Sequence, residues 1–172
     1  MRVPSSLRAP AVVGLMLSLL GAAALRAAAV AAAPIPLPPF AVVTLAGERT
    51  ESAALSVDGR WLLLYVDGTS QPSREILQMV SNPPVNTAIA PRLVIVVGRA
   101  TGAEAEALRG RFPALHAARW FADSQNEAFR AIRAPGAPVM LRMKGGEEHG
   151  RVLGLLPDRG VMLSLLQSWV AQ

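Results

Sequence analysis

The sequence predicts an α/β domain, in which a central mixed sheet is flanked by helices and followed by a C-terminal antiparallel hairpin and a closing helix. Residues 61–66 and 93–97 form continuous apolar runs, which are typical of parallel strands buried on both faces. The segment between them carries a helical apolar stripe, so these three elements form a right-handed β-α-β unit. Two alternating segments near the end of the chain predict the hairpin.

The elements before and within this unit follow from local patterns. Residues 40–45 predict a short apolar strand, and residues 52–57 a partly extended segment that ends at the turn Asp58-Gly59. The first buried strand comes next. The helix over residues 73–80 places Ile76, Leu77 and Val80 on one face.

Two further helices are marked by capping boxes, in which a hydroxyl and a glutamate satisfy free backbone N–H groups. Thr101 and Glu104 predict a helix to about residue 111. Ser124 and Glu127 predict another to about residue 133. A short strand over residues 119–122 lies between them.

The last third of the chain is antiparallel in character. Residues 139–144 alternate apolar and polar side chains, Gly145-Gly146 begins a turn, and residues 151–155 return as the second strand. A helix over residues 161–170 closes the domain. Its apolar stripe consists of Met162, Leu165, Leu166 and Trp169.

The first 31 residues have the features of a signal peptide or an N-terminal membrane anchor. Arg2 and Arg8 give a positive start, and Ala29-Val30-Ala31 fits a cleavage site. The uncharged stretch 9–25 has 17 residues, which is marginal for a membrane span. Cleaved export is the first expectation, an uncleaved anchor the second and a cytosolic chain the last. Residues 32–39 predict a Pro/Ala-rich tether, and residues 40–172 the domain, in the periplasm or secreted.

The net charge of +5 does not indicate a nucleic-acid partner. Three arginines lie in the leader, and residues 32–172 retain 14 basic and 12 acidic side chains, a net charge of +2. The basic residues are scattered, whereas a surface that follows phosphates needs clustered cations. We therefore expect no nucleic-acid binding, and membrane contact only through the N-terminal segment.

The chain contains no cysteine, which excludes thiol chemistry, disulfides and lipid attachment to cysteine. The two histidines, His116 and His149, are far apart in sequence and do not predict a metal site. Neither lies near Ser70, so a serine nucleophile would lack its base. His149 is expected on a solvated turn. We expect no cofactor.

The segment from Gly59 to Glu75 resembles the core motif of exported TlpA/ResA-type thioredoxin-like proteins; it reads GRWLLLYVDGTSQPSRE. In this resemblance Ser70 and Ser73 occupy the positions of the two redox cysteines. Pro72 is retained between them and Arg74 follows. Ala137-Pro138 resembles the loop that carries the family's cis-proline facing the redox pair. The resemblance covers roughly residues 40–169 and implies a thioredoxin-like fold.

The departures from that pattern imply that the redox site is vestigial. Both cysteines are absent, Val66 and Thr69 replace flanking tryptophans, and Leu64 replaces a buried acid. The vestigial positions are Ser70, Gln71, Pro72 and Ser73. From the residues alone, this segment is a helix start with Ser70 as its N-cap.

The resemblance implies that binding remains where chemistry is lost. We expect a redox-inactive, non-enzymatic module that binds, chaperones or assembles a protein partner. Ala137, Pro138 and Arg74 are the candidate peptide-binding residues. The alternatives are an accessory component of a thiol-disulfide pathway that works with a cysteine-bearing partner, and a purely structural domain.

Overall fold

A computed structural model describes residues 33–172, and the predicted leader, residues 1–31, lies outside them. The strands are β1 (Ile35–Pro36), β2 (Ala41–Thr44), β3 (Arg49–Glu51), β4 (Arg60–Asp67), β5 (Leu93–Gly98), β6 (Arg119–Asp123), β7 (Val139–Lys144) and β8 (Glu147–Leu153). The helices are α1 (Gln71–Ser81), α2 (Val85–Ile89), α3 (Gly102–Gly110), α4 (Glu127–Ala131) and α5 (Arg159–Val170).

All eight of these strands form one mixed sheet in the order β1-β8-β7-β4-β5-β6-β2-β3. Strands β4, β5 and β6 are parallel, and the two apolar runs lie side by side, with Leu64 paired to Ile95. Strand β7 pairs antiparallel with β4 and forms the hairpin with β8. The α/β class, the mixed sheet and the C-terminal hairpin and helix are confirmed.

Apolar side chains fill both faces of the central strands, as the continuous runs require. In β4, Leu62 and Leu64 face the cluster that contains the buried residues of α1, α2, α3 and α5, whereas Trp61, Leu63 and Tyr65 face the opposite cluster, which contains those of α4. Because successive side chains of a strand alternate between faces, β4 belongs to both cores. Residues 61–66 of this strand are therefore buried from both faces.

Several elements differ from the prediction. Ser52–Leu55 is a 3-10 turn rather than an extended segment, and β8 begins at Glu147. His149 consequently lies in a strand, with its ring centroid 5.6 Å from that of Trp169. The prediction that His149 lies on a solvated turn is therefore wrong. The segment predicted as a tether includes β1, which pairs with β8 at the sheet edge. Among residues 33–172, no helix is long and apolar enough to cross a membrane.

The helix after β6 starts differently from the prediction. The Thr101–Glu104 capping box forms at α3, but the Ser124–Glu127 box does not form. Helix α4 starts instead after Asn126, and the Asp123 carboxylate accepts hydrogen bonds from the N–H groups of Glu127 (2.8 Å) and Phe129 (3.1 Å). A buried carboxylate has replaced the hydroxyl cap because it can satisfy two free N–H groups at once.

Candidate functional site

The two serines at the predicted redox positions lie at the start of α1 and are bonded to each other. Ser70 is the N-cap, and its Oγ accepts from the Ser73 N–H at 3.2 Å. The Ser70 hydroxyl donates to Ser73 Oγ at 2.7 Å, and the Asp67 N–H donates to the same oxygen at 3.0 Å. Ser73 is fully buried. The pair therefore joins the end of β4 to the first turn of α1.

These contacts leave neither serine as an activated nucleophile. A serine nucleophile needs an adjacent base that removes its proton. No histidine is among the hydrogen-bond partners of Ser70 or Ser73 in the described part of the chain. The hydroxyls act as structural hydrogen-bonding groups, and Ser70 confirms the predicted helix cap.

The side chains of the neighbouring site candidates make no hydrogen bond to either serine side chain in the described residues. Pro72 occupies the first turn of α1, where its missing N–H costs nothing. The Gln71 amide donates to Glu75 on the exposed face. Arg74 folds back, and its guanidinium donates to the Thr69 carbonyl at 2.7 Å while remaining exposed.

The Ala137-Pro138 loop leads into β7, the strand that pairs with β4. The Ala137–Pro138 peptide bond is cis, and Pro138 is buried while Ala137 is half-buried. Tyr65 pairs with Val139 at the end of the β4–β7 ladder, so Ala137 lies two residues beyond it, towards Asp67. The Asp67 N–H is already bonded to Ser73 and its carbonyl to the Ser70 N–H. Within residues 33–172 the backbone N–H and carbonyl of Ala137 have no hydrogen-bond partner.

An ion pair closes the carboxyl end of β4. The Asp67 carboxylate pairs with Arg99 and accepts from the Thr69 N–H (2.9 Å) and hydroxyl (2.6 Å). Burial by itself would raise the pKa of Asp67, but the hydrogen bonds from Thr69 and Arg99 outweigh it and hold the pKa below its usual value. Asp67 is therefore ionised at neutral pH.

Tyr65 and Asp123 form a second, buried polar contact beneath that ion pair. The Tyr65 hydroxyl donates to Asp123 Oδ2 at 3.2 Å, and Asp123 is only 1 % exposed. Burial and the adjacent carboxylate raise the pKa of Tyr65 well above its usual value. Gly98 makes this contact possible, because a Cβ at that position would overlap the Tyr65 ring.

Tyr65, Asp67, Gly98 and Arg99 line a pocket of about 190 Å³ beside the Ala137 loop. Its lining includes the apolar groups of Tyr65, Phe129 and Ala137 and the polar residues Asp67, Arg99 and Asn126. The sequence prediction named Ala137 but missed the other five. Asp67, Arg99 and Asp123 stand at or just after the ends of three parallel strands, and that placement was the available signal, because ligands of open α/β sheets bind at that edge.

In the described residues no group of three or more acidic or histidine side chains could hold a metal ion. The site is instead a partly apolar pocket. The Asp67–Arg99 ion pair lines it, and so does Ala137, whose peptide group is unpaired among the described residues.

Comparisons with known proteins agree with this architecture. Neither a family model nor a curated protein sequence matches the chain. Among solved structures, a putative thiol:disulfide interchange protein DsbE from Chlorobium tepidum is similar at 15 % identity and a TM-score of 0.61, covering 80 % of this chain and 96 % of that one.

Two further structures are similar to this chain. A secreted Mycobacterium tuberculosis disulfide oxidoreductase, homologous to E. coli DsbE, has 15 % identity, a TM-score of 0.56, and coverage of 77 % of this chain and 94 % of its own. An exposed lipoprotein thioredoxin from Streptococcus pneumoniae has 11 % identity, a TM-score of 0.53, and coverage of 76 % and 98 %. At these identities the likeness establishes the fold. The chain has a thioredoxin-like fold, similar to that of DsbE-type proteins, and carries no cysteine.

Proposed function

We propose that this chain is an exported, redox-inactive module that binds an extended segment of a partner protein, as a chaperone or as part of an assembly. The observation that carries the proposal is the peptide group of Ala137, which is unpaired among the described residues and borders a pocket. An extended segment that pairs with Ala137 would gain main-chain hydrogen bonds.

The adjacent serine pair supports binding over chemistry. Thiol-disulfide exchange begins with attack by a thiolate, and Ser70 and Ser73 supply only hydroxyls that are bonded to each other. A bound segment would therefore be held and released without covalent capture. Exposed Arg74, at the same helix start, would favour an acidic side chain in that segment.

The proposal that the protein is exported rests on the sequence pattern of the leader. It is supported by the location of proteins that share the fold. The similar structures include a secreted oxidoreductase and an exposed lipoprotein thioredoxin. We expect the protein on the outer side of the cytoplasmic membrane, either released after Ala31 or retained by an uncleaved leader. Cell fractionation and N-terminal sequencing of the mature chain check this, and a full-length cytosolic product would contradict it.

The alternative is an accessory role in a thiol-disulfide pathway, favoured by the fold shared with DsbE-type proteins. In that case a partner supplies every cysteine. Under both proposals the purified chain alone should not reduce insulin. An increase in a partner oxidoreductase's rate on adding this chain would favour the accessory role.

A peptide-display library tests the binding proposal. Peptides enriched on the purified protein should lose binding to Ala137→Asp, because the new carboxylate crowds the groove. Ala117→Asp is the matched control, since Ala117 is exposed and lies outside the pocket. Equal binding to both variants and the wild type would show that the Ala137 loop is not the binding surface.

A further inference from the structure

The pocket beside Ala137 has room for one side chain. Its volume is about 190 Å³, whereas pockets for drug-sized molecules span about 300–1,000 Å³. Ala137 is one of the residues that line it, so a segment paired with the Ala137 backbone would run beside the pocket. One side chain of that segment would enter the pocket.

The charges of the pocket select a neutral side chain. Asp67 and Arg99 are the two charged residues that line it, and each is the other's partner. An entering carboxylate would meet Asp67, and an entering ammonium would meet Arg99. Neither would find an uncompensated opposite charge, so a charged side chain would lose its hydration without a replacement.

The wall favours an aromatic ring among neutral side chains. The rings of Tyr65 and Phe129 lie 5.5 Å apart between centroids and are tilted by 46°, a geometry that a third ring can extend. The Arg99 guanidinium at the rim is 68 % exposed and can lie over the face of an entering ring.

Asn126 adds a polar group for the tip of that ring. Asn126 lines the pocket, and as the N-cap residue of α4 its side chain makes no capping hydrogen bond. The backbone of Asn126 is left-handed, with φ of 54°, as is that of Arg99. Such conformations cost energy in residues other than glycine and are concentrated at functional sites. The side-chain amide can donate to or accept from a phenolic hydroxyl.

We propose that the pocket formed by Tyr65, Phe129, Asp67, Arg99, Asn126 and Ala137 binds a tyrosine side chain of the partner segment. This inference rests on the proposed function and adds the chemical class of the residue recognised. Phenylalanine is the next best occupant, since it keeps the ring contacts and loses the Asn126 hydrogen bond.

Small probes test the pocket without a partner. The N-acetyl amides of tyrosine, phenylalanine, leucine, lysine and glutamate are titrated into the ¹⁵N-labelled protein, and the amide signals of Gly98, Gly136 and Ala137 are followed. The tyrosine probe should shift these signals in a saturable way, with at least threefold tighter binding than the leucine probe. Equal or tighter binding of the leucine, lysine or glutamate probe would overturn the proposal.

Two variants separate ring recognition from general loosening. Phe129→Leu should weaken the tyrosine probe at least threefold, whereas Phe121→Leu makes the same change in a buried ring outside the pocket and should not. Asn126→Gly tolerates the left-handed backbone and removes the amide, so the tyrosine and phenylalanine probes should bind equally. No loss in Phe129→Leu would overturn the proposal.

The proposed function and this inference fail in different ways. If displayed peptides bind through Ala137 but carry no aromatic preference, only the tyrosine pocket is wrong. If the tyrosine probe enters the pocket but no displayed peptide depends on Ala137, the pocket stands and the segment-binding function is wrong.

Discussion

Replacing Ser73 by alanine should destabilise the fold, because its hydroxyl joins the end of β4 to the first turn of α1. The Ser73 hydroxyl is fully buried and accepts from the Asp67 N–H at 3.0 Å and from the Ser70 hydroxyl at 2.7 Å. In Ser73→Ala the Asp67 N–H loses this acceptor at the junction of β4 and α1. A buried donor left without a partner costs about 1–3 kcal/mol.

The second serine contributes through the helix cap. Ser70→Ala removes the oxygen that accepts the Ser73 N–H, and loss of such a cap costs about 1 kcal/mol. The two hydroxyls also bond to each other, so the double variant should lose less than the sum of the single losses, by about 0.5 kcal/mol or more.

Urea and thermal unfolding of the wild type, Ser70→Ala, Ser73→Ala and the double variant measure these losses of stability. For a chain of 172 residues, each kcal/mol lowers the Tm by about 2–4 °C. Ser164→Ala is the matched control, because Ser164 is exposed on α5 and its loss should change the free energy of unfolding by less than about 0.5 kcal/mol. An unchanged stability of Ser73→Ala, or strictly additive losses, would refute the structural role assigned to the pair.

Three further predictions concern the same end of the sheet. Tyr65 is the chain's single tyrosine, so its ionisation can be followed by absorbance. Because burial and Asp123 raise its pKa, it should stay protonated in the folded protein at pH 10.5. A transition near pH 10 would contradict this. Asp67 has a lowered pKa in the folded state, so its contribution to stability is present above about pH 4 and is lost as the pH falls further. Asp67→Asn should therefore lose less stability in acid than the wild type. Identical pH profiles of stability for the two proteins would refute this. The S70C/S73C double variant should form an intramolecular disulfide under mild oxidation, because the two hydroxyl oxygens already lie 2.7 Å apart; free thiols that persist under oxidant would show that these positions cannot hold a disulfide.

The sequence predicted the central part of the fold because that part is dictated by local pattern. The apolar runs of β4 and β5 leave no polar face for solvent, so both had to be central strands. Ser70 and Pro72 likewise indicated the start of α1. The first N–H groups of a helix have no partner within it, so a capping side chain such as Ser70 marks that position. The alternation in β7 fixed which of its side chains enter each core.

The remaining features depend on contacts between distant segments. The first turn of α4 is capped by the Asp123 carboxylate rather than by the Ser124 hydroxyl, and Tyr65 from another strand holds that carboxylate in place. The placement of β1 depends on β8, which supplies the other half of its ladder. Short helix α2 lacks a side-chain cap, so nothing local marked it.

The candidate site shows the same division. Ser70, Ser73 and Ala137 were identified from a motif, but the motif says nothing about the lining of a pocket. Arg99 and Asn126 reach it through left-handed backbone conformations. Such conformations are uncommon outside glycine, and no local pattern predicted them here.

Hydrogen exchange at the Ala137 amide tests the central claim most directly. In the free protein this N–H has no partner among the described residues, so it should exchange rapidly. Binding of a display-selected peptide should slow its exchange at least tenfold, because strand-like pairing occupies the N–H or encloses it, while Ala117 in its exposed loop is unaffected. Unchanged exchange at Ala137 under saturating peptide would contradict a groove that binds by backbone pairing.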